Sequence, residues 1–181
     1  MYNLIQHYNE AHRHYHNFLH IANMYETAKR YDLSLSKEQT VAIFFHDVIY
    51  QPGRTDNEIQ SATIFNDWCF HQKANNIDSS IVSRIILDTK DEIPTIDESK
   101  LVIDLDLYEL STDRYLTNLT NVKREYCEFY NEKQFNEGRI KWLKAFLDRD
   151  KIYVSEWGEQ FEKLARYNLE DELLRYKNEE V

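Results

Sequence analysis

Ser36-Lys37-Glu38-Gln39-Thr40-Val41-Ala42-Ile43-Phe44-Phe45-His46-Asp47-Val48-Ile49-Tyr50 decides how the rest of this chain is read. Ser36 with Gln39 three residues on is a capping box. The hydroxyl accepts from the Gln39 backbone N–H, and the Gln39 side chain reaches back to the Ser36 N–H. The residues behind it are apolar nearly all round: Val41, Ala42, Ile43, Phe44 and Phe45, then Val48 and Ile49. A helix without a polar face belongs in the middle of its domain. The pattern predicts a buried helix over 37–50, ended by Gln51-Pro52-Gly53-Arg54.

Outward from this segment the same punctuation recurs. Upstream, residues 3–11 read as a short helix and 17–32 as a second, with Phe18, Ile21, Ala22, Tyr25 and Ala28 at helical spacing. Downstream, Thr55-Asp56-Asn57-Glu58 reads as a second capping box opening a helix over 57–74, and Asp78 as the cap of one over 79–90. Pro94 interrupts the chain, and Thr95-Ile96-Asp97-Glu98 restarts it through about Leu110. Helical stretches follow at 112–130, 134–148 and 155–177, before a charged tail. Glycine occurs three times and proline twice in 181 residues. A sandwich or barrel needs turn residues every 8–12 positions or so, which excludes an all-β fold. Gly53, Gly138 and Gly158 stand apart, so neither a P-loop nor a dinucleotide-binding loop is present. No repeat or linker divides the chain. The expected fold is all-α: one bundle domain over residues 1–181, with its core over about 2–170, packed around the 37–50 helix.

The net charge is −10, which argues against a nucleic-acid polymer or an anionic membrane as partner. A small anion is still admissible where a metal or a local cation reverses the field in a cleft. No apolar run approaches the ~20 residues of a membrane span. Cys69 and Cys127 form no CxxC pair, and the first residues read as helix, not as an export signal. A cytoplasmic location is expected. A homodimer through a helical face is compatible with the pattern.

Three features carry chemistry. His46-Asp47 stands among Phe and Ile in the central helix, where an unpaired imidazole and carboxylate are costly to bury. A divalent metal satisfies both; so would a hydrogen bond to a neighbouring helix with an arginine for the aspartate. Five of the seven histidines lie between residues 7 and 20, and His16 and His20 share a face if the second helix begins that early. Val102-Ile103-Asp104-Leu105-Asp106-Leu107 alternates acidic and aliphatic residues. On a helix its two aspartates point about 200° apart, so only one faces inward. Together these residues make a mixed nitrogen and carboxylate set suited to Mn, Fe, Co, Ni, Zn or Mg.

In this order the motifs resemble the HD superfamily of metal-dependent phosphohydrolases, and within it a small bacterial branch of predicted metal-dependent phosphohydrolases. The resemblance lies in Arg13-His14-Tyr15-His16-Asn17-Phe18-Leu19-His20, Phe45 to Tyr50, Asp56 to Ala62, Ile103 to Leu110, and Gly138-Arg139 through Tyr153. It implies an HD-type helical domain holding one divalent ion on His20, His46, Asp47 and Asp106. Asp106, followed by Leu107, matches the last ligand better than Asp104. His16 is an extra histidine of this branch, placed to line the pocket or to hold a second ion. The branch often carries a histidine after Thr89-Lys90, where this chain has Asp91 and Glu92, which favours a single metal.

The expected activity is hydrolysis of a small phosphate ester or phosphoanhydride, a nucleotide among the candidates, by a metal-activated water. The catalytic candidates are Asp47 in the ligand set and Glu58 as a base. The substrate-binding candidates are Arg13, His16, Arg54, Lys90 and Arg139. Trp142, Phe146 and Trp157 read as core. A non-catalytic metal- or nucleotide-binding module is the alternative, and a metal-free helical interaction protein a third reading.

Overall fold

A computed structural model describes residues 4–179, and among them it is all helical, with no strand. The α-helices are α1 (Leu4–Tyr8), α2 (Phe18–Arg30), α3 (Lys37–Phe45), α4 (Asn57–Gln72), α5 (Ser79–Asp88), α6 (Asp97–Leu107), α7 (Tyr115–Cys127), α8 (Glu132–Leu147) and α9 (Glu162–Glu179). Short 3₁₀ turns at Tyr108–Ser111 and Gly158–Phe161 follow α6 and precede α9. No helix among the described residues is long and apolar enough to cross a membrane.

The apolar central segment does what its composition dictates. α3 packs against α2, α4, α5 and α6, and Ala42, Ile43, Phe45 and Val48 are buried with Ile21, Met24, Phe65, Ile85 and Ile86. Each fully buried aliphatic side chain contributes roughly 1.5–3 kcal/mol. A second core gathers Leu143, Phe146, Ile152, Tyr153, Ala165 and Leu169 from α8, α9 and the segment between them. The helix α6 joins the two: Val102 and Leu105 belong to the first core, Ile103 and Leu107 to the second.

The Ser36 capping box forms as expected, with Ser36 Oγ accepting from Gln39 N at 3.1 Å and Gln39 Oε1 from Ser36 N at 2.9 Å. Asp78 caps α5 as expected. Other boundaries differ. The helix does not run to residue 50 but stops at Phe45, and His46-Asp47 lie in the turn that follows. Side chains from elsewhere take the backbone groups a longer helix would have used. Arg13 donates to the carbonyls of Asp47 and Val48, Ser61 Oγ pairs with Ile49, and Asn57 pairs with Gln51. Thr55 caps nothing: α4 begins after Asp56, whose carboxylate is taken by Arg54 and Gln60. Thr95 likewise turns to the buried Asp88 instead of capping α6. A capping box at Asn131 and Gln134 opens α8.

Candidate metal centre

Three segments far apart in sequence meet at one point. His20 comes from the first turn of α2, which Asn17 caps by accepting from Leu19 N. His46 and Asp47 come from the turn after α3, and Asp106 from the last turn of α6. One donor atom each of His20, His46 and Asp106 lies within 4.8 Å of the others. Asp106 Oδ1 is 2.9 Å from His20 Nε2 and 3.6 Å from His46 Nε2. Asp47 Oδ2 is 3.1 Å from His46 Nε2 and 4.0 Å from His20 Nε2. All four expected ligands are therefore together.

The hydrogen bonding separates ligand geometry from an ordinary buried pair. His20 Nε2 and His46 Nε2 are buried and make no hydrogen bond, and neither does His20 Nδ1. Such unsatisfied buried groups cost about 1–3 kcal/mol each. His46 Nδ1 sits 2.9 Å from the Ile43 carbonyl, which makes it the protonated nitrogen and leaves a lone pair on Nε2. Imidazole nitrogens and carboxylate oxygens gathered around one point fit a divalent cation that takes the place of the ring protons.

Electrostatics agree. Burial works to lower the His46 pKa, but the Asp47 and Asp106 carboxylates outweigh it and hold it well above the ordinary imidazole value. Burial works to raise the two aspartates, but His46 lowers Asp47 to about 2 and, with His20, depresses Asp106 further. An ion entering the site would displace these protons. Asp104 takes no part. Its buried carboxylate turns the other way and accepts from Val154 N and Ser155 N at 2.8 Å each. A side chain at Gly158 would collide with that carboxylate and with Tyr153, so glycine is required there.

The cluster lies at a cavity of about 590 Å³, lined by His46, Asp47 and Asp106 together with residues of α7 and α8. Five carboxylates line it (Asp47, Glu58, Glu92, Asp106 and Glu109) against the cations Lys90 and Arg139. Glu58 is raised by burial. Glu92, also raised by burial to about 8, pairs with Arg149. Such a wall repels a phosphate unless a bound cation offsets it. Tyr15, Tyr50, Tyr115, Tyr126 and Tyr130 supply the aromatic surface.

The other sequence candidates divide. His16, Glu58, Lys90 and Arg139 line the cavity; Arg13 and Arg54 are not among its lining residues. Arg13 is buried, and its guanidinium is spent on Glu10 and on the carbonyls of His16, Asp47 and Val48, so it holds the ligand turn in place. Arg54 is exposed, in a two-point pair with Asp56. Arg139 is clasped by the buried Glu172, and lies 4.1 Å over Trp142. Trp142 packs against the second core, as expected, and also forms cavity wall between Arg139 and Phe146, whose ring stacks on it at 4.0 Å. Sequence reasoning gave no site role to Glu92, Glu109 or Glu125 and singled out no individual tyrosine. A buried acid in an amphipathic helix was the available signal for Glu125, but nothing local marks its partner.

No protein-family model, curated protein or solved structure matches this chain.

Proposed function

We propose that this protein is a metal-dependent phosphohydrolase acting on a small phosphate ester or phosphoanhydride. The observation that carries the reading is the pair of buried, unpartnered Nε2 atoms of His20 and His46 beside the carboxylates of Asp47 and Asp106. His46, Asp47 and Asp106 line a cavity large enough for a small-molecule substrate. His20, His46, Asp47 and Asp106 would hold one divalent ion. When bound, such an ion supplies a Lewis acid and a water of lowered pKa. The reading agrees with the resemblance to the HD superfamily drawn from the motifs.

The chain's own residues do the rest. Glu58 lines the cavity with a carboxyl raised by burial, and that brings it toward the range useful for taking a proton from water. The Lys90 ammonium, anchored on the Thr55 carbonyl at 2.7 Å, stands at the wall to meet phosphate charge. Arg139 offers whatever donor capacity Glu172 leaves. The aromatic wall suits a ring-bearing leaving group such as a nucleoside. A non-catalytic metal-binding module remains the rival, and hydrolysis separates the two. Protein loaded in turn with Mn²⁺, Co²⁺, Ni²⁺, Zn²⁺ and Mg²⁺ is assayed for phosphate release from a panel of nucleotides and phosphomonoesters. Release that disappears in Asp106→Asn supports the proposal. A metal-loaded chain that releases none from any member sinks it and leaves the binding module.

A further inference from the structure

The chain has three glycines, and close contacts demand two of them. Gly53 has a positive φ with the Tyr130 hydroxyl against it, and Gly158 faces Asp104 and Tyr153. Gly138 is different. It is the seventh of the sixteen residues of α8, and its backbone is ordinary helix with no positive φ. A Cβ built on it meets no atom within 4 Å. Glycine is the poorest helix former after proline, because it has the most backbone freedom to lose. Neither packing nor backbone geometry therefore explains a glycine in the interior of this helix. Its position does. Gly138 is exposed and lines the cavity, with Gln134 and Trp142 one helical turn away on either side. Leu119, Val122 and Tyr126 of α7 line the same cavity, as does Phe135 of α8, whose ring lies 5.7 Å from that of Tyr126. The Arg139 guanidinium covers the Trp142 indole at 4.1 Å, and its charge is taken by Glu172. The α7 and α8 side of the cavity thus offers flat apolar surface and a bare stretch of backbone, while Asp47 and Asp106 line the cavity from the metal centre.

We infer that Gly138 is a specificity-determining residue: the room left by its missing side chain receives the ring of the ester's organic group. Ring-bearing monoesters are then preferred to small ring-free ones. The inference rests on the phosphohydrolase reading for the ester, but the room for a ring does not depend on it. A ring laid on the Gly138 backbone is removed from water together with the apolar faces of α7 and α8 around it. A branched side chain at this position would occupy the same volume.

The test uses Gly138→Ala and Gly138→Leu, with naphthyl phosphate and glycerol phosphate as the two esters. Gly138→Ala should raise the urea midpoint, because it gains helix propensity and meets no collision. A lowered midpoint overturns the inference, since the glycine would then serve the fold. Gly138→Leu, checked for wild-type helical circular dichroism, should lower kcat/KM on naphthyl phosphate by about 10-fold or more beyond any effect on glycerol phosphate. Equal losses on both esters, or no loss on either, overturn the size-selective role while leaving the phosphohydrolase reading standing. A second readout needs no turnover. Naphthol titrated into the isotope-labelled full chain with Mg²⁺ present should shift the Gly138 amide in NMR spectra, a signal identified by its absence from Gly138→Leu. Followed at the Trp142 indole N–H, naphthol binding should weaken by about 10-fold or more in Gly138→Leu. Naphthol that leaves the Gly138 amide unmoved, or binds the variant as well as the wild type, overturns the inference. A loaded wild type that hydrolyses no ester removes the proposed function, and the naphthol titration then decides by itself whether the ring site stands.

Discussion

His46 shows how much one residue can be asked to hold at once. Its Nδ1 is turned to the Ile43 carbonyl, its Nε2 has no hydrogen bond, and two carboxylates stand beside it. Removing Asp106 takes away the acid nearest His20 and one of the two beside His46. Asp106→Asn and His46→Ala are each expected to drop bound metal from about one ion per chain to near zero, read by elemental analysis of untagged protein. Any ion that binds only the folded chain stabilises it, by about 2.7 kcal/mol at a concentration 100 times Kd. Thermal melts should therefore rise with metal in the wild type and stay flat in both variants. A wild-type melt indifferent to every ion would leave His46 and Asp47 as a buried structural pair. Part of the identity was legible here: His46 and Asp47 stood out as polar residues in apolar surroundings, while His20 among its neighbouring histidines and Asp106 rather than Asp104 came from the resemblance of the motifs. Orientation was not, because a side chain's partners are set by elements packed from elsewhere.

At the scale of the element, the two capping boxes read from sequence have opposite fates and make a controlled comparison. Ser36 accepts from the Gln39 N–H, whereas Thr55 leaves α4 to start after Asp56. Ser36→Ala should cost about 1 kcal/mol by urea unfolding, and Thr55→Ala well under that. The turn between α3 and α4 supplies a further prediction. Gly53 has φ +80°, and a Cβ there would overlap the Tyr130 hydroxyl, which also lines the cavity. Gly53→Ala should destabilise by more than about 1 kcal/mol, since it meets backbone strain and a collision together. Gly53→Ala in a Tyr130→Phe background should recover part of the loss. Both motifs match the same pattern of residue types. They differ because Asp56 found Arg54 and Gln60, while the Ser36 side chain had no competing partner.

For the molecule as a whole, pH reports on the buried charges of the cavity. Burial pushes the Glu92 carboxyl from 4.5 up to about 8, against the opposing pull of Arg149. Between those values the folded chain keeps a proton that the unfolded chain has released. Stability from this group is therefore complete below 4.5 and is lost as pH rises through about 8. His46 and His16, both raised in the folded state by neighbouring carboxylates that outweigh burial, act in the same direction: their contribution is full below 6.5 and fades as pH climbs through their higher folded values. The metal-free protein should lose stability from mildly acid to mildly alkaline pH, measured as urea midpoints. Glu92→Gln should flatten that slope relative to the wild type; an unchanged slope would show that Arg149 keeps Glu92 ionised. Added metal should offset the loss, because it binds the deprotonated imidazoles.

The amino-acid sequence by itself determined the all-helical class, the apolar segment at the centre and the His46-Asp47 pair within it; the resemblance of its motifs added His20 and Asp106 to that pair. These follow from short-range facts: spacing at the helical period, capping side chains within a turn, and the cost of burying charge. Only the tertiary structure decided that α3 ends at Phe45, because the groups that take over its backbone, Arg13, Ser61 and Asn57, come from outside it. It also decided which cations face the cavity. Arg13 and Arg139 look alike in sequence, but the first is spent on carbonyl oxygens and the second is held at the wall by Glu172. His16 finds its partner, the Glu125 carboxylate, 109 residues away. Local hydrogen bonding and periodicity are encoded within a few residues, whereas the partner of a buried charge is chosen when distant helices pack.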